Sequence, residues 1–310
     1  MNTLRPIVVV GSVNVDMTFK GPRLPRPGET VIGGQFSTAL GGKGANQAVA
    51  AARLGAPVRL IARLGADALG DQALAGLRNE GIDIAGALRD PDVGTGVAMI
   101  LVDAAGENSI AVASGANARL TVAEIDGAAS VVRDAALVML QLEVPLDVVR
   151  RVAEIAAEAG VGVMLDPAPA APLAPELLQL VTWLTPNEHE AEALTGVAVC
   201  DERSAREAAL ALRAAGAANV IVTLGARGAF VSGASLEALI PAQRVEAIDS
   251  TAAGDAFNGA LACGLRRGLP LDEAAHEATL AAALATTRLG AQPSLPTAAE
   301  VDHFRRAAAI

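Results

Sequence analysis

A chain of 310 residues that is 52% hydrophobic can bury a core large enough for one sizeable α/β domain. Its formal charge of −10 and 2% aromatic content exclude the basic, base-stacking surface that nucleic acids require. No apolar run reaches the roughly 18 residues of a membrane span and no leader precedes the first predicted strand, so a cytoplasmic protein is expected, with no membrane partner.

The apolar run 7–10, bounded by Pro6 and Gly11, reads as a buried parallel strand. It leads into Ser12-Val13-Asn14-Val15-Asp16, where an extended chain puts Asn14 and Asp16 on one face. Ligands of open α/β sheets sit at the carboxyl ends of strands, where these two polar groups fall, although such residues equally satisfy turn backbone. Residues 29–36 predict a short strand with a glycine break, and 96–102 with 109–113 predict a hairpin. These strands do not alternate with helices. A small β lid formed by about 15–40 and 95–114, packed on a single domain spanning 1–310, accounts for them and would exclude water from a transfer reaction.

Between these strands, Gly41-Gly42-Lys43-Gly44-Ala45-Asn46 is a glycine-rich turn into a helix that runs to about Leu54. No Ser or Thr follows Lys43, so it is not a P-loop, nor does it have the dinucleotide glycine spacing. From Val58 the pattern is regular: strand 58–63, helix about 69–80, strand 137–141, helix about 146–159, strand 161–165. Glu143 follows one strand end, and Asp166-Pro167-Ala168-Pro169 follows the next, where the prolines forbid continuation. Asn187 and Glu190 have capping-box spacing, at a position where nucleotide phosphates and Mg²⁺ can also arrive. A helix at about 202–215, a strand at 219–224, a hairpin-like segment at 229–240 and helices at about 254–267 and 271–287 complete the pattern. It predicts an α/β fold: a doubly wound, mostly parallel sheet with helices on both faces. Cys200 and Cys263 fit no metal or redox spacing and are expected to be core thiols. Scattered histidines without HExxH spacing, and the lack of a Gly-x-Ser-x-Gly elbow, argue against metallohydrolase and serine hydrolase chemistry.

The stretch 249–260 joins a loop of small and polar residues to an apolar helix through Gly254-Asp255. Small residues leave backbone N–H groups free at a helix start, and such a start binds anions. Asp255 repels phosphate and is better suited to removing a proton; an ordinary capped helix has the same sequence signature.

In chain order, Gly11-Ser12-Val13-Asn14-Val15-Asp16, the Gly41–Asn46 loop, Gln141-Leu142-Glu143, Thr185-Pro186-Asn187-Glu188-His189-Glu190, Thr223-Leu224-Gly225 and Ala252-Ala253-Gly254-Asp255 resemble the motif set of the ribokinase (PfkB-type) sugar kinase family, over about residues 7–296. The resemblance implies phosphorylation of the primary hydroxyl of D-ribose by ATP. It assigns Asn14, Asp16, Gly42, Lys43, Gly44, Asn46 and Glu143 to the sugar, and Asp255 as the base. The amides of Ala252, Ala253 and Gly254 would stabilise the transferring phosphoryl group. Asn187 would contact phosphates, Glu190 would organise Mg²⁺ through water, and Thr223, Gly225, Gly228 and Thr279 would border the nucleotide. A K⁺ ion would be held by Asp249, Thr251, Ala285, Arg288, Gly290 and Ser294, largely through carbonyls, and a homodimer would form through the lid. Two departures stand out: Thr279 where relatives carry His or Asn, and Ala252 where many carry Gly. The rivals are a kinase of 2-deoxyribose, a ketohexose or a nucleoside, and a sugar-binding protein without turnover.

Overall fold

The computed structural model describes residues 5–308. Strand β1 (Ile7–Val10) is wholly buried, and its alternation divides the interior: Ile7 and Val9 face one core, Val8 and Val10 the other. That double burial is why the run is apolar at every position. After a short turn the chain enters β2 (Asn14–Lys20) and β3 (Gln35–Gly41), then α1 (Lys43–Arg53), β4 (Val58–Gly65), α2 (Ala68–Asn79) and β5 (Asp83–Asp90). The hairpin β6 (Gly96–Val102) and β7 (Asn108–Ala113) follows, then the short helices α3 (Val122–Gly127) and α4 (Ala129–Arg133). The alternating series continues through β8 (Leu137–Leu140), α5 (Leu146–Glu158), β9 (Gly162–Leu165), α6 (Pro175–Leu178), β10 (Trp183–Leu184), α7 (Glu188–Thr195), α8 (Glu202–Ala214) and β11 (Asn219–Thr223). It closes with β12 (Ala229–Ser232), β13 (Glu237–Ile240), α9 (Ala253–Arg267), α10 (Leu271–Thr286) and α11 (Ala298–Ala308).

The large sheet has the order β13-β12-β11-β10-β9-β8-β1-β4-β5, parallel except at the β11–β12 and β12–β13 pairs. Helices α1, α9 and α10 pack on one face, and α5 and α8 on the other. This is the doubly wound α/β architecture that the alternation predicts. A second sheet, β3-β2-β6-β7, stands apart, with β2 parallel to β6 and both outer pairs antiparallel. Because β2 leaves β1 after three residues, Asn14 sits where the two sheets meet.

Two expectations need correction, and one strand was not foreseen. The strand predicted at 29–36 lies at Gln35–Gly41 instead, because Gly33 and Gly34 adopt φ of 91° and 118°, which an extended strand cannot contain. Cys200 is exposed, in the turn before α8, whereas Cys263 is buried. Strand β5 escaped notice because its edge position leaves it only partly buried and its apolar centre, 84–88, is mostly alanine and glycine, which carry little strand signal.

Candidate active site

The glycine-rich turn before α1 is built for close approach. A Cβ on Gly44 would lie 2.6 Å from the Gly11 carbonyl carbon, and Gly42 has φ of 87°, so the helix starts directly against the end of β1. The first amides of α1 are all occupied by protein: Lys43 N–H donates to Glu143 Oε2 (3.0 Å), Gly44 N–H to Ser12 Oγ (3.3 Å) and Ala45 N–H to the Ser12 carbonyl (2.9 Å). Ser12 Oγ donates to the same Glu143 oxygen at 2.5 Å. The Lys43 and Gly44 amides therefore close the turn, and the side chains of Lys43, Asn46 and Gln47 extend from α1.

Those side chains converge on Asp255, which is 5% exposed at the start of α9. Asn46 Nδ2 donates to Asp255 Oδ2 (2.9 Å), and Gln47 Nε2 donates to Asp255 Oδ1 (3.1 Å) and to Asp166 Oδ2 (2.8 Å). The Lys43 ammonium lies 3.5 Å from Asp166. The Asn46 side-chain oxygen is buried with no partner among the described residues. Burial, partly offset by Lys43 and reinforced by the Asp166 charge, pushes Asp255 up to about 6. Asp166 also rises to about 6, through burial against the pull of Lys43. Asp16 reaches about 6 through burial and the charges of Glu143 and Asp255. For Lys43, burial is outweighed by Asp166, Asp255, Glu143 and Glu190, which hold it firmly protonated.

The start of α9 differs from that of α1. Ala252 adopts the left-handed conformation (φ 59°), and Ala253 N–H donates to the Ser250 carbonyl (3.2 Å). Among the described residues, no acceptor takes the amides of Ala252, Gly254 or Asp255. Gly254 is exposed, and a Cβ there would meet open space. Two of the three expected phosphoryl-binding amides are thus unengaged, while that of Ala253 is tied into the turn.

On the sugar side, Asn14 and Asp16 share a face of β2, with Ala98 opposite Asp16 and Val112 opposite Ala98. Asn14 borders a cleft of about 410 Å³ lined also by Val112, Asn117, Leu142, Glu143 and Pro169. Asn117, unpredicted, is buried and donates through Nδ2 to Asn14 Oδ1 (2.7 Å) while its own oxygen accepts from Val13 N–H (2.9 Å). With its carbonyl engaged, the Asn14 amide presents its N–H donors beside the acceptor-only carboxylate of Asp16. A donor next to an acceptor is the pairing that reads vicinal hydroxyls.

Asn187 and Glu190 form a full capping box at α7: Asn187 Oδ1 accepts from Glu190 N–H (2.9 Å), and Glu190 accepts from Asn187 N–H (2.8 Å) and Nδ2 (2.9 Å). Both Glu190 oxygens already accept protein hydrogen bonds, which fits contact with Mg²⁺ through water rather than direct ligation. Thr223 bridges to Asn187, and Gly225 and Gly228 follow it in positive-φ turns. Thr279 is buried in α10 with its hydroxyl donating to the His276 carbonyl (2.7 Å), so that hydroxyl proton is committed within the helix.

The candidate cation residues are drawn together by Asp249. Its Oδ1 accepts from Thr251 N–H (2.9 Å) and Thr251 Oγ1 (2.6 Å), and its Oδ2 from Gly290 N–H (2.8 Å). Against the effect of burial, these bonds hold the carboxyl below its usual range. Ala285 accepts from Arg288 N–H, the Arg288 guanidinium pairs with Glu300 (2.6 Å), and Ser294 Oγ donates to the Ala291 carbonyl (2.8 Å). The Arg288 charge is thus paired within the protein, whereas Asp249 keeps its negative charge among neutral donors.

Sequence reasoning missed Gln47, Asp166, Asn117, Ser12 and Gln141 as parts of this cluster. Gln47 was accessible, four residues after Lys43 and so on the same helical face. Asp166 was accessible as a strand-end carboxylate equivalent to Glu143. Asn117 carried no local signal, since its partner is 103 residues away.

A buried carboxylate lies beside unengaged helix-start amides and near Asp16, an arrangement suited to phosphoryl transfer to an alcohol. Comparison with known proteins agrees. Residues 5–298 match the pfkB family carbohydrate kinases. The chain is 44% identical to a ribokinase of Haemophilus influenzae, over 97% of this chain and 98% of that protein. It is 37% identical to a deoxyribokinase of Salmonella typhi, over 96% and 98%. An Arabidopsis thaliana ribokinase structure complexed with ribose and ATP superposes with a TM-score of 0.90 at 33% identity, covering 97% of this chain and 98% of that one. The chain belongs to the pfkB family of carbohydrate kinases.

Proposed function

We propose that this enzyme transfers the γ-phosphoryl group of ATP to the primary hydroxyl of D-ribose, giving D-ribose 5-phosphate and ADP. The observation that carries the reading is Asp255, buried and held by Asn46 and Gln47 beside the unengaged α9 amides, with Asp16 near enough to feel its charge. Asp255 takes the proton as the hydroxyl oxygen bonds to phosphorus; the bond from the γ-phosphorus to the bridging oxygen breaks, and ADP leaves with those electrons. The amides of Ala252 and Gly254 receive the charge that gathers on the phosphoryl oxygens. Lys43 adds a cation beside a cluster that is otherwise acidic. Mg²⁺, organised through water by Glu190 near Asn187, would neutralise the nucleotide phosphates.

In the same reading, the small sheet acts as a lid, and the enzyme is a cytoplasmic homodimer joined through it. The exposed Phe36 and Met99 support the dimer, since their strand partners Phe19 and Met17 place them on the face opposite Asp16. Light scattering that gives a monomer mass at micromolar concentration would remove that part. K⁺ would stiffen the turn at 249–255 through carbonyls. Equal activity in K⁺ and in tetramethylammonium would remove that part.

The central experiment is ADP release measured across ribose, 2-deoxyribose, fructose and adenosine. Ribose should have the highest kcat/KM. A higher value for 2-deoxyribose would assign the chain to the activity named for its Salmonella relative, and tight binding without ADP release would leave a sugar-binding protein.

A further inference from the structure

Asp166 has no part in the mechanism above, yet it is 5% exposed and charged beside the base. We propose that Asp166, acting through Gln47 and Lys43, is a positioning residue that orients the Asp255 carboxylate and controls its protonation. The geometry is a fixed chain of donors. Gln141 Nε2 donates to Gln47 Oε1 (2.6 Å), which fixes the orientation of the Gln47 amide and leaves its Nε2 to face the carboxylates. That nitrogen divides its two hydrogens between Asp166 Oδ2 (2.8 Å) and Asp255 Oδ1 (3.1 Å). Asn46 holds the other Asp255 oxygen, so the carboxylate is fixed at both ends.

The same Asp166 oxygen lies 3.5 Å from the Lys43 ammonium. Asp166 therefore does two things to the base: it adds a like charge across one shared amide, and it draws away the cation that would otherwise pair with Asp255. Both effects raise the proton affinity of Asp255. The charged groups facing this pair are Lys43 from α1, Asp16 from β2, Glu143 after β8 and Glu190 from α7. Lys43 is the one cation among them. Burial raises both aspartates to about 6, and the Asp166 charge adds to the rise at Asp255, so the acid limb of the pH profile is sensitive to Asp166.

With Asp255 as the base, a reading on which this inference rests, the test is kcat/KM for ribose against pH, with melting temperatures confirming that each variant folds. Asp166→Asn keeps the shape and removes the charge, and should move the acid limb about one pH unit downward. Gln47→Leu removes the donors that favour the ionised carboxylates, and should move the limb upward. Opposite displacements support the relay. A uniform loss of kcat at every pH, or an unmoved limb in Asp166→Asn, would make Asp166 merely structural and overturn it. So would a change confined to the Mg²⁺ concentration for half activity, which would make Asp166 a metal-organising group. Asp255→Asn tests the base separately: near wild-type kcat in that variant would remove the underlying reading, whereas an inactive Asp255→Asn with an unmoved Asp166→Asn limb would remove only the relay.

Discussion

Two turns of small residues lead into helices in this protein, and they do opposite work. At the start of α1, the amides of Lys43, Gly44 and Ala45 all find protein acceptors, and Gly44 is pressed onto the backbone of Gly11. At the start of α9, the amides of Ala252, Gly254 and Asp255 have none among the described residues, and Gly254 faces open space. Both sequences have the composition of an anion-binding helix start. One is closed by its own fold and serves as a rigid mount for Lys43, Asn46 and Gln47. The other remains open at the point where charge would develop. Glycine content alone does not make an anion site; what matters is whether the fold has already satisfied the donors.

The comparison is sharpened most by the base that lies between the two helices. Asp255→Asn should lower kcat by roughly 10²–10⁴, the usual worth of a positioned base. The same change should stabilise the protein. A carboxylate held near 6 keeps its proton in the native state after the unfolded chain has released it near 3.8. Its favourable contribution is complete below the unfolded value and is lost as pH rises through 6. The variant should therefore melt higher than wild type at pH 7.5, by about 1–3 kcal/mol, and the gap should close toward pH 4. A gap independent of pH would mean that the native carboxyl is not perturbed.

Alanine at the two glycines breaks the symmetry directly. Gly44→Ala should cost about 1–3 kcal/mol of stability from overpacking against β1, measured by denaturant unfolding. Gly254→Ala should leave stability unchanged or raise it by up to about 1 kcal/mol, yet lower kcat by roughly tenfold as the methyl group enters the space left for phosphate. If Gly254→Ala keeps full activity, the open amides are not used in turnover. The smallest effect belongs to Ala252→Gly. Relief of a left-handed alanine and the added entropy of glycine nearly offset each other, so stability should change by less than about 1 kcal/mol with kcat retained. A large fall in kcat would show that the strained alanine itself holds the loop in shape.

Legibility in the sequence followed the range of the interactions. Strands β1 and β8 were visible because burial on both faces demands an apolar residue at every position. The capping box at α7 was visible because its donor and acceptor lie three residues apart. Strand β5 and the true span of β3 were not, since an edge strand tolerates polar residues and the exposed half of β3 carries little burial signal. Within the site, the Asn14 and Asp16 pair was readable from strand alternation. Its orienting partner Asn117 was not.

By itself, the sequence determined the α/β alternation, the strand-end polar residues and the two small-residue helix starts, because each depends on neighbours within one element or turn. Only the tertiary structure decided which helix start stays open, which amide divides itself between Asp166 and Asp255, and which carboxylates hold their protons near 6. The physical reason is that satisfaction of a donor and burial of a charge depend on groups that arrive from elsewhere in the chain, as Gln47 meets Asp255 across 208 residues.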